Sequence, residues 1–204
     1  MKIARKWIAG TAVVSLAVLL CMIFGLPVVQ GSAADHVRWD IIHMNPTTTP
    51  ATLSAGGVAF ASASNPSTLS IKLTGSGTFV GPASGGTSSA ATGGGTWETF
   101  TSGVSTGKGT YFVTSLASWR FANFQTPGAV TDLIDTGGAN GNAILRIQYS
   151  DGSEGTLGVG CHGPGAPAGI QEGVIATKGY FTYWTAQSPA PGVNANRTSF
   201  HVRQ

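Results

Sequence analysis

The pair Cys161–His162 places a thiol directly beside an imidazole. A cysteine activated by a histidine is a nucleophile, and both side chains are also common metal ligands. The sequence Gly-Pro-Gly follows at once, and a turn there would let the thiol and the imidazole approach each other. A catalytic site of Cys161 and His162 is therefore one hypothesis.

The residues upstream favour a buried thiol instead. Two runs of alternating apolar residues flank the sequence YSDGS, which is typical of a β-hairpin. A three-residue loop with positive φ at Gly152 would pair Leu145 with Leu157 and Gly141 with Cys161, gathering the apolar residues on one face. Cys161 would then be a small buried hydrophobe, and His162 would point to the opposite face.

Other reactive side chains lack the spacing of a known site. Two acidic pairs, Asp132 with Asp135 and Asp151 with Glu154, have acid–base chemistry, but both lie in turn-rich segments where Asp is common for backbone reasons. The histidines show no metal-ligand spacing, so we expect no metal and no cofactor. The histidines are His36, His43, His162 and His201.

Aromatic residues are numerous for a chain in which only 9% of the residues are charged. They predict either core packing or a largely apolar ligand cavity in the mouth of a barrel, where basic side chains orient the ligand. The predicted ligand-binding residues are Trp39, Trp97, Tyr111, Trp119, Arg120, Lys178 and Tyr183.

The elements that must position these side chains are strands. Short alternating runs bounded by Gly, Pro, Asn and Asp dominate the chain after position 35. They predict a single all-β domain over residues 35–204, an antiparallel β-barrel or barrel-like sandwich of about eight to ten strands. Residues 81–95 are predicted to be a flexible Gly/Ser/Thr loop, and residues 123–141 to be mostly irregular.

One pentapeptide pattern, Gly-x-Gly-Thr-aromatic, occurs at residues 75–79, 93–97 and 107–111. Positions 1, 3 and 5 of the pentapeptide, the two glycines and the aromatic residue, lie on one face of a strand. An aromatic ring from a neighbouring strand can then pack over the glycines, as in a strongly coiled sheet. The pattern is loosely similar to the Gly-Thr-Gly-aromatic punctuation of the allene oxide cyclase and dirigent barrels. That resemblance implies a barrel and carries over no active-site residue.

Two longer segments resemble uncharacterised secreted bacterial proteins. They are HVRWDII at residues 36–42 and the stretch from CHGPG to TKGYFTYW at residues 161–184. The resemblance implies export and a β-rich fold, and it implies no activity.

The first 34 residues have the pattern of a secretory signal peptide. Basic residues precede an uncharged stretch at residues 7–29, and small residues at 31–34 predict cleavage near Ala34. An uncleaved membrane anchor over residues 7–29, forming a hydrophobic helix, is the alternative. Because three of the eleven basic residues lie in this leader, residues 35–204 carry eight basic and eight acidic residues, which gives no basis for nucleic-acid binding.

These patterns favour binding over catalysis. The sequence predicts a secreted, non-catalytic binding protein for a small apolar or glycan-like ligand, with membrane contact only through an uncleaved leader. The alternatives are an exported enzyme that uses the barrel interior or a site centred on Cys161, and a cell-surface structural or interaction protein.

Overall fold

Every regular element of the described chain is a β-strand. The computed structural model describes residues 34–82, 86–189 and 194–203, in which no helix occurs, and therefore none that could cross a membrane. The strands are β1 (Asp35–Asn45), β2 (Ala51–Ala55), β3 (Ala59–Ser62), β4 (Leu69–Leu73), β5 (Ser76–Gly81), β6 (Ala91–Thr101), β7 (Val104–Phe124), β8 (Val130–Asp132), β9 (Gly138–Tyr149), β10 (Glu154–Cys161), β11 (Gly173–Lys178), β12 (Phe181–Tyr183), β13 (Thr185–Ala186) and β14 (Thr198–Arg203).

Six of these strands close into an antiparallel barrel. Strand β1 pairs with β5 on one edge and with β14 on the other, and the ring continues through β6, β7 and β9 back to β14. Closure satisfies the backbone hydrogen-bonding groups at both edges of the sheet. The predicted all-β barrel is confirmed.

The remaining strands extend the sheet where two barrel strands change partners. Strand β6 leaves β5 for β4, which continues into β3 and β13. Strand β9 leaves β14 for β10, which continues into β11 and β12. These two extensions are directly connected in sequence, because only Trp184 separates the end of β12 from the start of β13. Strand β2 pairs with the last part of β1 in antiparallel orientation, and it pairs with β8 in parallel orientation.

Aromatic rings lie over the glycines of the repeated pentapeptides, as the sequence predicts. A Cβ atom at Gly107 would lie 3.3 Å from the Trp97 ring, and one at Gly75 would lie 2.3 Å from the Tyr111 hydroxyl. The glycines of the middle pentapeptide instead face backbone: a Cβ at Gly95 would lie 1.9 Å from the Thr74 carbonyl oxygen. Glycine is therefore required where β6 changes from β5 to β4.

Aromatic side chains fill the inside of the six-stranded barrel. The Trp119 ring centroid lies 5.3 Å from that of Phe79 and 4.8 Å from that of Phe200, both in edge-to-face geometry. Trp39 is fully buried beside them. The same hydrophobic cluster continues without a break between the strand extensions, through Tyr149 and Leu157.

The hairpin between β9 and β10 has the predicted register. Leu145 pairs with Leu157 and Gly141 pairs with Cys161, and Gly152 takes a φ of 86° in a three-residue loop. Positive φ at the last loop position is typical of this hairpin class, and glycine adopts it without strain. Both partner strands consequently present their apolar residues to the core.

Three details of the predicted architecture need correction. The described residues form fourteen strands rather than eight to ten, because turns divide the alternating runs into shorter strands such as β4 and β5 or β11 and β12, and because short strands such as β8 and β13 are added. Residues 91–95, predicted as loop, belong to β6, since pairing with β5 and β7 satisfies their backbone. The segment 123–141 contains β8 and the start of β9. The predicted signal helix and cleavage site lie outside the described residues, apart from Ala34.

Replacing Gly77 with alanine should strongly destabilise the protein. The added Cβ would lie 2.1 Å from the Thr92 carbonyl oxygen and 2.8 Å from Trp39 Nε1, in a barrel wall that cannot move apart without breaking sheet pairing. We expect Gly77→Ala to lower the free energy of unfolding by at least about 2 kcal/mol. Chemical denaturation of the purified protein measures this change.

Gly138→Ala is the matched control, because a Cβ at Gly138 meets only the end of the Gln125 side chain, at 3.4 Å. This variant should change stability by less than about 1 kcal/mol. Equal effects of the two substitutions would contradict the crowding at Gly77 by the Thr92 backbone and the Trp39 ring.

Candidate functional site

Three hairpin turns and the start of β4 converge at one end of the sheet and enclose a cleft of about 490 Å³. The β6–β7 turn is formed by Ser102 and Gly103, both with positive φ, as a tight two-residue hairpin requires. The β9–β10 loop and the β11–β12 turn at Gly179 and Tyr180 form the other sides. The walls of the cleft are fixed in position, because each short turn joins two strands that continue into the core.

Two aromatic rings stand exposed at the mouth of this cleft. Tyr180, at the tip of the β11–β12 turn, is 87% exposed, and Phe181 beside it is 39% exposed. Their ring centroids are 4.3 Å apart and the ring planes are inclined by 32°. We call these two residues the aromatic platform. Phe100, Trp97 and Tyr183 line the cleft deeper down.

A fixed ion pair forms the polar side of the cleft. The Lys178 ammonium group donates to Asp151 and, over 2.8 Å, to the Ser153 hydroxyl. The same nitrogen lies 4.2 Å from the Trp97 ring centroid and 4.8 Å from that of Tyr149. Lys178 is only 12% exposed, so its charge is satisfied inside the protein.

Asp151 remains accessible although it is paired. The hydrogen bond from Lys178 lowers the pKa of Asp151 to about 2, and the hydroxyl and backbone N–H of Ser153 also donate to its carboxylate. The Asp151 side chain is 43% exposed. Its carboxylate therefore stays ionised over the physiological range and has about one acceptor site left for a ligand.

The predicted ligand-binding residues divide between this cleft and the core. Trp97, Lys178 and Tyr183 line the cleft together. Arg120 is exposed elsewhere on β7 and does not line the cleft. The other predicted residues are buried in the core and have almost no free surface, namely Trp39, Tyr111 and Trp119.

Sequence reasoning did not select the two most exposed cleft rings or the acidic partner of Lys178. One signal was present for Tyr180: an aromatic residue directly after a glycine in a turn between two strands is poorly placed to reach a core. The sequence indicates Asp151 as a turn residue and as a candidate acid–base partner of Glu154, but not as a partner of Lys178. Its pairing with Lys178 depends on two loops that are 27 positions apart in the sequence.

The thiol of Cys161 does not form a dyad with His162. Cys161 is 2% exposed, and its sulfur accepts a hydrogen bond from Gln125 Nε2 over 3.4 Å. Burial raises the pKa of the Cys161 thiol far above its usual range. The structure shows no hydrogen bond between the thiol and the imidazole, and His162 is exposed. This environment is that of a structural cysteine.

Glu172 is the unusual titratable group near Cys161, in a second cleft of about 340 Å³. Its carboxylate accepts the backbone N–H of His162 at 2.6 Å and that of Thr198 at 2.7 Å, so it links the end of β10 to the start of β14. Burial raises the pKa of Glu172 to about 7, although both backbone hydrogen bonds and the nearby Arg197 oppose the shift. No feature of the sequence pattern pointed to this residue.

One acidic pair and one histidine noted in the sequence, Asp132, Asp135 and His201, serve as structural contacts. Asp132 lies 2.8 Å from His201 Nε2, and Asp135 accepts two hydrogen bonds from Arg203. These pairs attach the segment after β8 to β14. Within the described ranges, no group of three or more His, Cys, Asp or Glu side chains could hold a metal ion.

Comparison with known proteins identifies no relative. No family model, no curated protein and no solved structure matches the chain. The resemblances to secreted bacterial proteins and to the allene oxide cyclase and dirigent barrels therefore stay predictions. Any functional inference depends on the geometry of the two clefts.

Cys161 should be protected from thiol reagents in the native protein. In a Cys21→Ser variant, which leaves Cys161 as the only cysteine, we expect alkylation to be at least about 100-fold slower without denaturant than in guanidinium chloride. The physical reason is burial of the sulfur and its raised pKa. Rapid native labelling, measured by mass spectrometry, would instead support a reactive cysteine.

Glu172 should make stability depend on pH. The folded protein holds this proton up to about pH 7, while the ordinary pKa is 4.5. This contribution to stability is therefore complete below about pH 4.5 and is lost as the pH rises through 7. Between about pH 5 and 8, Glu172→Gln should gain about 1–3 kcal/mol in unfolding free energy relative to wild type.

Denaturant titrations at several pH values measure this difference. The exposed Glu154 supplies the control, since Glu154→Gln should follow the wild-type pH profile. A constant difference between Glu172→Gln and wild type at every pH would show that Glu172 does not titrate in this range.

Proposed function

We propose that this protein is a secreted, non-catalytic binding protein whose ligand occupies the cleft between the three hairpin turns. The single observation that carries the proposal is the aromatic platform of Tyr180 and Phe181, exposed beside an ionised carboxylate at Asp151. Secretion is supported by the signal-peptide pattern of the first 34 residues.

Exposure of two adjacent rings has a cost unless something covers them. The burial of apolar surface contributes roughly 25 cal/mol per Å². Four other rings are also exposed, namely Phe112, Phe121, Phe124 and Trp184, but none of them lines this cleft, and Tyr180 is the most exposed ring of the described residues. The platform lies at a cleft mouth with a polar wall at Asp151, Ser153 and Lys178. A ligand with both an apolar face and hydroxyl groups fits this combination.

The two alternative functions have weaker support. An enzyme centred on Cys161 needs an accessible thiolate, but the sulfur is buried and its pKa is raised. A ligand inside the barrel needs space that Phe79, Trp119 and Phe200 occupy. A cell-surface structural or interaction protein could use the exposed rings as a contact surface, but it does not need the cleft and the ionised carboxylate beside them.

Removal of the platform should weaken ligand binding strongly. Octyl glucoside below its micelle concentration is a suitable probe, because it combines an apolar chain with a hydroxyl-bearing ring, and the tryptophan fluorescence of Trp97 in the cleft gives the signal. We expect the double variant Tyr180→Ala, Phe181→Ala to weaken binding at least about tenfold.

Phe112→Ala is the control, since Phe112 is also exposed but does not line the cleft. This variant should bind the probe like wild type. If wild type, the platform variant and the control all bind octyl glucoside with the same affinity, the probe binds elsewhere and the proposal is wrong.

A further inference from the structure

We infer that the cleft selects a neutral saccharide over both acidic sugars and plain apolar chains. This inference rests on the proposed function and names its ligand class. It depends on three properties of the cleft: the absence of a free cation on its described lining, the presence of exposed oxygen groups, and the flat shape of its apolar part.

No positive charge on the described lining is available to a ligand. Lys178 is the only basic residue that lines the cleft. Its ammonium group is committed to Asp151 and Ser153, and the Trp97 and Tyr149 rings pack against it. An acidic ligand would meet the accessible carboxylate of Asp151 without a compensating cation, so its binding is disfavoured.

Oxygen groups around the cleft match a ligand with several hydroxyls. The Asp151 carboxylate accepts hydrogen bonds from Lys178 and from the hydroxyl and backbone N–H of Ser153, which leaves about one of its four lone-pair sites, on Oδ2, for a ligand. The hydroxyls of Thr101 and Thr106 are on the opposite wall, which belongs to β6 and β7. Hydrogen bonds from hydroxyls to a charged acceptor are stronger than those between neutral groups.

The apolar part of the cleft is an open platform rather than a closed tube. Tyr180 and Phe181 present two neighbouring rings inclined by only 32° to each other. The C–H face of a sugar ring can stack on such a surface while its hydroxyls turn to the polar wall. An alkyl chain would leave that polar wall unsatisfied and much of its own surface in water.

Isothermal titration of the full-length protein tests this choice with three kinds of probe. They are short neutral gluco-, xylo- and manno-oligosaccharides, oligogalacturonate as the acidic sugar, and octanol as the apolar chain. We expect at least one neutral oligosaccharide to bind, oligogalacturonate to bind at least about tenfold more weakly at low salt, and octanol to show no binding that depends on Tyr180.

Asp151→Asn supplies a second readout that a merely structural role would not move. This variant keeps the size of the side chain, removes its charge and releases Lys178. Neutral oligosaccharide binding should weaken about threefold to tenfold, while oligogalacturonate binding should strengthen, so that the preference narrows or reverses. The thermal unfolding midpoint of the variant, measured alongside, establishes that it is folded.

The outcomes separate the two proposals. Binding of octyl glucoside and octanol through the platform, with no neutral oligosaccharide bound, would overturn the saccharide inference and leave the proposed function standing. Equal or tighter binding of oligogalacturonate by wild type would also overturn the inference. If octyl glucoside does not bind through the platform either, the proposed function fails with it.

Discussion

Close approach of glycines to the backbone and the aromatic rings of neighbouring strands is the constraint on which the structure depends. At Gly77 and Gly95 the adjoining backbone leaves no room even for a methyl group, and at Gly107 the Trp97 ring lies directly over the strand. The sheet can coil tightly enough to close into six strands only because side chains are missing at these points. The rings in turn replace the packing surface that glycine lacks.

The same tight coiling explains where the candidate site lies. Strands β6 and β9 each pair with two successive partners, so hairpins that are distant in sequence come together at one end of the sheet. Asp151, Lys178 and Tyr180 belong to two such hairpins. Their main-chain positions are held by strands that run into the core, which favours a preformed cleft over one that folds around its ligand.

The cleft with the aromatic platform and the cleft at Glu172 have different electrostatic character. In the cleft beside the aromatic platform, the hydrogen bond from Lys178 lowers the pKa of Asp151, so the carboxylate stays ionised over the physiological range. In the second cleft, burial raises the pKa of Glu172 to about 7 despite two backbone donors. The first arrangement suits constant recognition of a ligand, whereas the second couples the joint between β10 and β14 to pH.

The sequence by itself determined the all-β class, the β9–β10 register with Cys161 facing inward, and the contact between glycines and rings, because these follow from period-two alternation and local turn chemistry. Tertiary structure alone decided which core aromatic residues also line the cleft: Trp119 and Trp97 are equally buried in the core, but only Trp97 borders the cleft. It also decided the partners of Lys178 and Glu172. These contacts depend on which distant strands lie next to each other. Alternation along a single strand shows which face a residue occupies but not which strand is its neighbour.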